Sequence, residues 1–285
     1  CKLSTGNQTV NLSAAAIVNG CQTVVALNKA KNSEKGLKSN VFLPIRIIET
    51  KDIDLRAKIT EFLNSQTKIR DSYFLANNTF IRELQEELLQ KGYFLERLAN
   101  EYNYKHNLNK VQDYTKEHIL QLEKTIQIYV AYYNNQSAAK AKRGKNELFD
   151  KQSINDLISE INADKVLKAL EIYKEICKVI TMYRKCRRSI RNDEFLNYMG
   201  IEIKNDEEYS FTMDKFLFIN TSDILLLNAY ANITDGSFKK YNLIKVINIC
   251  KDIISDIPKI SPSSATKNSN IFEKVQELCR KQKEM

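Results

Sequence analysis

The N-terminal third of the chain alternates short apolar runs with helical patterns. An apolar run at residues 14–18 ends at Asn19-Gly20, and apolar residues at helical spacing follow it. This pattern predicts a strand, a tight turn and a helix that begins near Gln22. A β-branched run at residues 41–48 predicts a second strand, and Pro44 within it favours a sheet edge or a bulge.

Further elements are predicted up to about residue 104. One helix follows Asp52, and its apolar stripe ends before residue 64. Another begins near Thr79 and ends at Lys91-Gly92, because glycine is typical of a helix C-terminus. Residues 93–95 predict a short strand. Residues 1–111 are therefore predicted to form a small α/β unit with a mixed sheet.

From residue 112 onward the apolar spacing is almost wholly helical. The predicted helices cover residues 117–133, 153–161, 163–190, 222–232, 240–256 and 268–283. Residues 134–152 are polar and predict a loop. We therefore predict a mainly α-helical domain over residues 112–285 and a helix-rich protein overall.

Charge and cysteine usage narrow the class of protein. Lys and Arg outnumber Asp and Glu by 44 to 35, and the resulting net charge of +9 favours a polyanionic partner. The six cysteines form no C-x-x-C pair, and only His106 and His118 could join them in a metal site, so no cofactor is evident. Unpatterned thiols fit a reducing, cytoplasmic location. Because no apolar stretch is long enough to cross a bilayer, no membrane partner is expected.

The turn at Asn19-Gly20 is the first candidate binding site. A strand that enters a helix through such a turn presents unpaired backbone N–H groups at the positive end of the helix dipole, a geometry suited to phosphate. Asn19, Gln22 and Thr23 could add side-chain hydrogen bonds. The alternative is that Asn19-Gly20 only forms the turn and that Gln22 and Thr23 only cap the helix.

Four blocks of sequence follow one another in a distinctive order and spacing. They are residues 17–27, 43–50, 58–66 and 92–97, the last followed by Glu101-Tyr102. In this order they resemble the abortive infection phage resistance (AIPR) family, over about residues 12–104 and more loosely through Ile126 to Phe149. The resemblance implies a role in bacterial defence against bacteriophage, with a phage component as a further partner. Family members carry an Asn-Asn-Gly segment before the position that Cys1 occupies, so the chain is predicted to be an N-terminally truncated fragment.

The block around Asn19-Gly20 is also similar, more distantly, to a block of ParB and sulfiredoxin-like domains, in which a helix N-terminus holds nucleotide phosphates. Thr23 stands where that block has arginine, so a phosphate clamp would need a cation from elsewhere. The candidate cations are Arg46, Arg70 and Arg97.

Asn64 and Gln66 form a second amide-bearing segment. They either contact a base edge or a phosphate beside the turn, or Asn64 only caps the helix before it.

Glu49 and Glu96 are the catalytic candidates. Each lies at the end of a predicted strand, where two carboxylates could bind Mg²⁺ or Mn²⁺ for nuclease chemistry. The alternative is a plain salt bridge from Glu96 to Arg97 or Arg46. Because no spaced carboxylate and lysine string typical of a metal nuclease accompanies them, the catalytic residues stay unknown.

The last candidate is a run of arginines on a predicted helix. Arg184, Arg187, Arg188 and Arg191 are spaced to share one face, where like charges repel unless an anion neutralises them. The alternative is a solvated face balanced by Asp193, Glu194 or acids of a neighbouring helix. The basic segment Lys140, Lys142, Arg143 and Lys145 could extend the footprint.

These patterns lead to one preferred function and one alternative. The preferred function is an antiphage protein that binds nucleotide or nucleic acid through the Asn19-Gly20 turn and a basic helical face, with nuclease activity as an open extension. The alternative is a non-enzymatic sensor or scaffold, in which a bound ligand shifts one domain against the other.

Overall fold

The computed structural model describes most of the chain beyond residue 75 and shorter segments before it. The described residues are 2–6, 9–13, 15–17, 20–33, 36, 42–50, 52, 55, 59, 75–76, 78–143, 148–149, 151–189, 192–257 and 260–284. The chain divides into two compact units, Cys1–Arg70 and Asp71–Met285. This division differs from the predicted boundary at 111/112, because a strand at residue 94 pairs with one at residue 119.

The unit Cys1–Arg70 contains an antiparallel hairpin and one complete helix among its described residues. Strands β1 (Lys2–Gly6) and β2 (Thr9–Ser13) pair from Lys2↔Ser13 to Gly6↔Thr9. Helix α1 (Cys21–Lys31) confirms the helix predicted near Gln22. Most of the helix predicted after Asp52 lies outside the described residues.

The two strands predicted in this unit are wrong where the structure describes them. Residues 15–17 and 42–50 have no regular secondary structure. Apolar and β-branched composition favours a strand only where a neighbouring strand pairs with its backbone and a core covers one face. Here Phe42, Ile45 and Ile47 are exposed, and Pro44 has no N–H to give to a ladder.

The unit Asp71–Met285 begins with a helix and a small parallel sheet. Helix α2 (Thr79–Gln90) starts where the Asn78 side chain accepts a hydrogen bond from the Phe80 N–H, and it ends before Gly92, whose φ of 80° suits glycine. Strands β3 (Phe94–Glu96) and β4 (Ile119–Gln121) pair in parallel. The helix from Thr79 and the strand at residues 93–95 are confirmed within a residue or two.

The rest of the unit is helical. The elements after β3, apart from β4, are α3 (Glu101–Asn107), a 3₁₀ turn (Lys116–His118), α4 (Leu122–Tyr133), α5 (Ala138–Arg143), α6 (Lys151–Ile158), α7 (Ala163–Arg188), α8 (Glu194–Met199), α9 (Asp206–Lys215), a 3₁₀ turn (Leu217–Thr221), α10 (Asp223–Ile233), α11 (Lys240–Ser255), α12 (Pro262–Ala265) and α13 (Ser269–Glu284). Five of the six predicted helices are confirmed with small shifts, and the sixth is shortened because β4 replaces its start. The predicted loop at 134–152 is wrong in part, because the alanines of α5 are strong helix formers and are buried.

The described core lies in this second unit. Helix α10 is buried along nearly its whole length and packs against α4, α7, α11 and α13, which explains why its sequence is apolar on all sides. The predicted seam of α7 faces the same core, with Val166, Leu170 and Ile180 buried. The protein is therefore helix-rich with a small α/β part, as predicted. No helix in the described part of the chain has the length and hydropathy needed to cross a bilayer.

Candidate nucleic-acid interface

The C-terminal end of α7 carries a cluster of exposed cations, which we call the basic patch: Arg184, Lys185, Arg187 and Arg188. Two buried side chains, Tyr183 and Cys186, fix which way these cations face. The Tyr183 hydroxyl donates to the Met213 carbonyl at 2.8 Å, and the Phe195 N–H donates to the sulfur of Cys186 at 3.3 Å. The four cationic side chains around these two positions are exposed.

The partners of the basic patch neutralise only part of its charge. Lys185 lies 3.4 Å from a carboxylate oxygen of Glu194, and Arg187 lies 3.6 Å from one of Asp214. Arg184 donates to the Asn220 carbonyl at 2.6 Å, which adds no negative charge. Within residues 75–284 as described, no group pairs with Arg188. The helix dipole also favours cations at this end.

Of the run predicted from sequence, Arg184, Arg187 and Arg188 are thus placed on one surface, and Arg191 lies outside the described residues. Glu194 pairs with one cation, as the alternative expected. Four cations nevertheless face two carboxylates there, Glu194 and Asp214, so the patch keeps an excess of positive charge.

The turn at Gly20 has the geometry expected of an open helix N-terminus. Gly20 has φ 93° and precedes α1, and no side chain among the described residues caps the helix. Its carbonyl accepts the Val24 N–H at 3.0 Å, the first helical hydrogen bond. Gln22 and Thr23 are exposed within the helix rather than acting as caps. Asn19 lies outside the described residues.

The other predicted phosphate ligands divide between the two units. Arg46 lies in the unit Cys1–Arg70, in a stretch without regular secondary structure that also contains the catalytic candidate Glu49. Asn64, Gln66 and Arg70 fall outside the described residues.

Arg97 and Glu96 belong to a local network of the second unit rather than to an open site. Arg97 donates to the Ala76 carbonyl at 2.7 Å and lies 3.6 Å from Glu101, whose carboxylate also accepts the Arg97 N–H. Burial opposes ionisation of Glu101, but Lys105 and Arg97 outweigh it and lower its pKa. Glu96 accepts the Tyr102 N–H at 3.3 Å. Arg97 therefore pairs with Glu101, not with Glu96 as the alternative expected.

The described residues contain no group of three or more side chains that could hold a metal ion together. His106 contacts Asp113 at 2.6 Å, and His118 contacts Thr115 at 2.7 Å. Within the described part of the second unit, neither histidine contacts Glu96.

Sequence reasoning missed a second charged group, which we call the lysine–aspartate cluster: Lys124, Lys142, Tyr173 and Asp223. Asp223 opens α10, and its carboxylate pairs with Lys142 and, at 3.1 Å, with Lys124. The Tyr173 hydroxyl donates to the same carboxylate at 3.0 Å. Burial raises the pKa of Asp223, but the two lysines outweigh this effect and hold it at about 2.

Lys142 was expected to extend a nucleic-acid footprint, yet its side chain is 16% exposed and is neutralised here. Cys177 lies next to the lysine–aspartate cluster, and burial raises the pKa of its thiol. The position of Asp223 in the first turn of a helix was the only sequence signal for this cluster.

A network of side-chain amides lies between two cavities of about 280 and 240 Å³. Asn135 lines both cavities. Its side-chain oxygen accepts hydrogen bonds from the side-chain amides of Asn228 and Asn232 at 2.9 and 2.8 Å, and its backbone carbonyl accepts one from the Gln276 side chain. Tyr132 lines the smaller cavity, and its buried hydroxyl has no hydrogen-bond partner among the described residues. The amides satisfy one another, so this network contributes to core structure.

The comparisons with known proteins give one match. A family model described as AIPR protein matches residues 2–285, nearly the whole chain. No curated protein and no solved structure matches the chain. The family match extends well beyond residues 12–104, where the resemblance in sequence was strongest.

Proposed function

Since the chain belongs to the AIPR family, which acts in bacterial abortive infection against bacteriophage, we propose that it serves this defence by binding nucleic acid through the basic patch. The observation that carries the proposal is the excess of exposed cations at the end of α7. Arg187 and Arg188 are the strongest contributors, because Arg188 has no partner in the described part of the chain and the carboxylate nearest to Arg187 is exposed and 3.6 Å away.

Physical chemistry favours a polyanion over a single small anion at this patch. Lys185, Arg187 and Arg188 lie in the last turn of α7 and are exposed, so they offer a surface rather than an enclosed pocket. Each phosphate they neutralise releases condensed counterions, which is the main source of affinity for nucleic acids. Arginine also suits bidentate contact with phosphate oxygens.

For the unit Cys1–Arg70, taken by itself, we propose a separate phosphate contact at the turn of Gly20. Its support is the uncapped N-terminus of α1, where backbone N–H groups and the helix dipole favour a negative charge. Nothing among the described residues favours a cleavage reaction, so the proposal is confined to binding.

The test reverses two charges in the basic patch. We expect the double variant Arg187→Glu, Arg188→Glu to bind a labelled 20-nucleotide strand at least about tenfold more weakly at low salt, measured by fluorescence anisotropy. The slope of log affinity against log salt should become shallower by roughly 1.4 to 1.8, because about two phosphate contacts are lost. Circular dichroism should be unchanged, since both side chains are exposed.

The matched control is Lys274→Glu, Lys281→Glu, which changes the net charge equally on exposed positions of α13. We expect this control to keep most of the affinity. Equal loss in both double variants would assign binding to overall charge and contradict the proposal, as would an affinity that does not respond to salt.

A further inference from the structure

Helix α9 carries an aromatic side chain that lies outside the hydrophobic core. Phe211 is 65% exposed, whereas Tyr209 and Met213, two residues away on either side, are buried. Because residues two apart on a helix point in nearly opposite directions, the burial of these neighbours places Phe211 on the solvent side. The exposure of Phe211 therefore follows from how α9 is anchored.

Two contacts place this ring beside the basic patch. The Tyr209 hydroxyl donates to the Cys186 carbonyl at 2.6 Å, which joins α9 to the last turn of α7. Asp214, three residues after Phe211 on the same helix face, lies 3.6 Å from Arg187. The ammonium group of Lys215 lies 4.2 Å from the Phe211 ring centroid. The ring thus contacts Lys215 of its own helix, on a face that also carries Glu207, Glu208 and Asp214, and α9 is joined to the turn of α7 that bears the basic patch.

An exposed aromatic ring that contacts a lysine, on a helix joined to the basic patch, matches the chemistry of an unpaired nucleotide. A base can stack on the ring while the adjoining phosphates are neutralised by arginine and lysine. A duplex hides its base faces within its own stack and offers only its phosphates and groove edges. An apolar protein surface is a poorer match, because docking on Phe211 would desolvate Lys215, which has no carboxylate partner in the described part of the chain.

We propose that Phe211 is a base-stacking platform, so that the basic patch binds single-stranded nucleic acid in preference to duplex. This inference rests on the proposed function, since it names the substrate class of the same surface. It requires that the contribution of Phe211 depend on its aromatic face, not merely on its apolar surface.

The experiment compares Phe211→Ala, Phe211→Leu and Phe211→Trp with the unchanged chain. The probes are one fluorescein-labelled 20-nucleotide DNA strand and the same strand in a duplex, measured by anisotropy. We expect Phe211→Ala to weaken single-strand binding by about 5- to 150-fold, the usual range for one lost base–aromatic stack, and to leave duplex binding nearly unchanged. Phe211→Trp should retain the affinity and Phe211→Leu should not. Thermal melts should be unaffected, because the side chain is exposed.

The Phe211→Trp variant supplies a second and direct readout. The chain contains no tryptophan, so the introduced indole is the only one and its emission reports on this position alone. We expect single-stranded DNA to quench that emission on binding, and we expect the duplex to leave it nearly unchanged.

Each contrary outcome separates this inference from the function on which it rests. If the unchanged chain binds both probes and Phe211→Ala binds the single strand equally well, the stacking platform is wrong and the proposed function stands. Rescue by Phe211→Leu, or equal losses for single strand and duplex, would also overturn the platform. If neither probe binds the unchanged chain, the proposed function itself is wrong.

Discussion

The lysine–aspartate cluster gathers lysines from α4 and α5, the basic patch gathers cations from α7, and the two have opposite results. In the lysine–aspartate cluster, Lys124 and Lys142 converge on one largely buried carboxylate, Asp223, and Tyr173 donates to it as well. In the basic patch, the two carboxylates lie on the surface and leave part of the charge unbalanced. The difference lies in where the counter-charge sits, not in how many cations are present.

This comparison separates charges that hold the fold from charges that face a ligand. A buried carboxylate between two lysines is costly to remove, because the lysines then repel each other at a site with little water. Exposed ion pairs contribute little to stability and are easily exchanged for pairs with phosphate. We therefore expect substitutions in the first group to change unfolding and substitutions in the second to change binding.

The largest expected effect is that of Asp223→Asn. The variant keeps the shape of the side chain but leaves Lys124 and Lys142 without a counter-charge, so the free energy of unfolding should fall by about 3 kcal/mol. Denaturant unfolding followed by circular dichroism measures it. An unfolding midpoint equal to that of the unchanged chain would show that the lysine–aspartate cluster is not structural.

Acid should lower the stabilisation from the lysine–aspartate cluster by less than the substitution Asp223→Asn does. The pKa of Asp223 is lowered from 3.8 to about 2 in the folded protein. The contribution of Asp223 to the free energy of unfolding is therefore present above pH 4 and is lost as the pH falls toward 2. A pKa shift of this size corresponds to about 2 kcal/mol in the free energy of unfolding.

The pH effect is measured as the difference in unfolding free energy between the unchanged chain and Asp223→Asn. Other carboxylates titrate in both proteins and cancel in the difference. The difference should shrink by that amount between pH 5 and pH 2, and a constant difference would mean that Asp223 does not titrate in this range.

The smallest effect on stability is expected for Asp214→Asn, the exposed counterpart in the basic patch. The ion pair between Asp214 and Arg187 lies on the surface, so the free energy of unfolding should change by less than about 1 kcal/mol. Nucleic-acid affinity should instead rise a few-fold at low salt, because Arg187 is released to contact phosphate. Anisotropy titrations at two salt concentrations test this, and weaker binding would place Asp214 in the interface itself.

Local patterns predicted the helices of the second unit well. The spacing of Val166, Leu170 and Ile180 located α7 and its buried face, because a helix repeats every 3.6 residues regardless of what it packs against. The apolar runs around residues 15–17 and 42–50 misled the strand predictions, since a strand needs a partner that local sequence does not specify. Helix α9, which was not predicted, has an Asn205 cap and three acids in its first turn, but only two buried residues.

The same division holds at the candidate site, between residues that are close along one helix and residues that only helix packing brings together. The clustering of arginines at 184–188 is visible in the sequence, because residues close along a helix are necessarily close in space. Three other features depend on how separate helices pack. They are the pairing of Arg187 with Asp214, the pairing of Lys142 with Asp223, and the position of the helix of Phe211 against the basic patch.

The sequence by itself therefore determined most of the longer helices of the second unit, where positive charge concentrates and to which family the chain belongs. Only the tertiary structure decided which of those charges are neutralised. Lys142 and Asp223 are 81 residues apart along the chain, and Tyr209 is 23 residues from Cys186. Burial of a counter-charge is a property of helix packing, and no spacing rule within one helix encodes it.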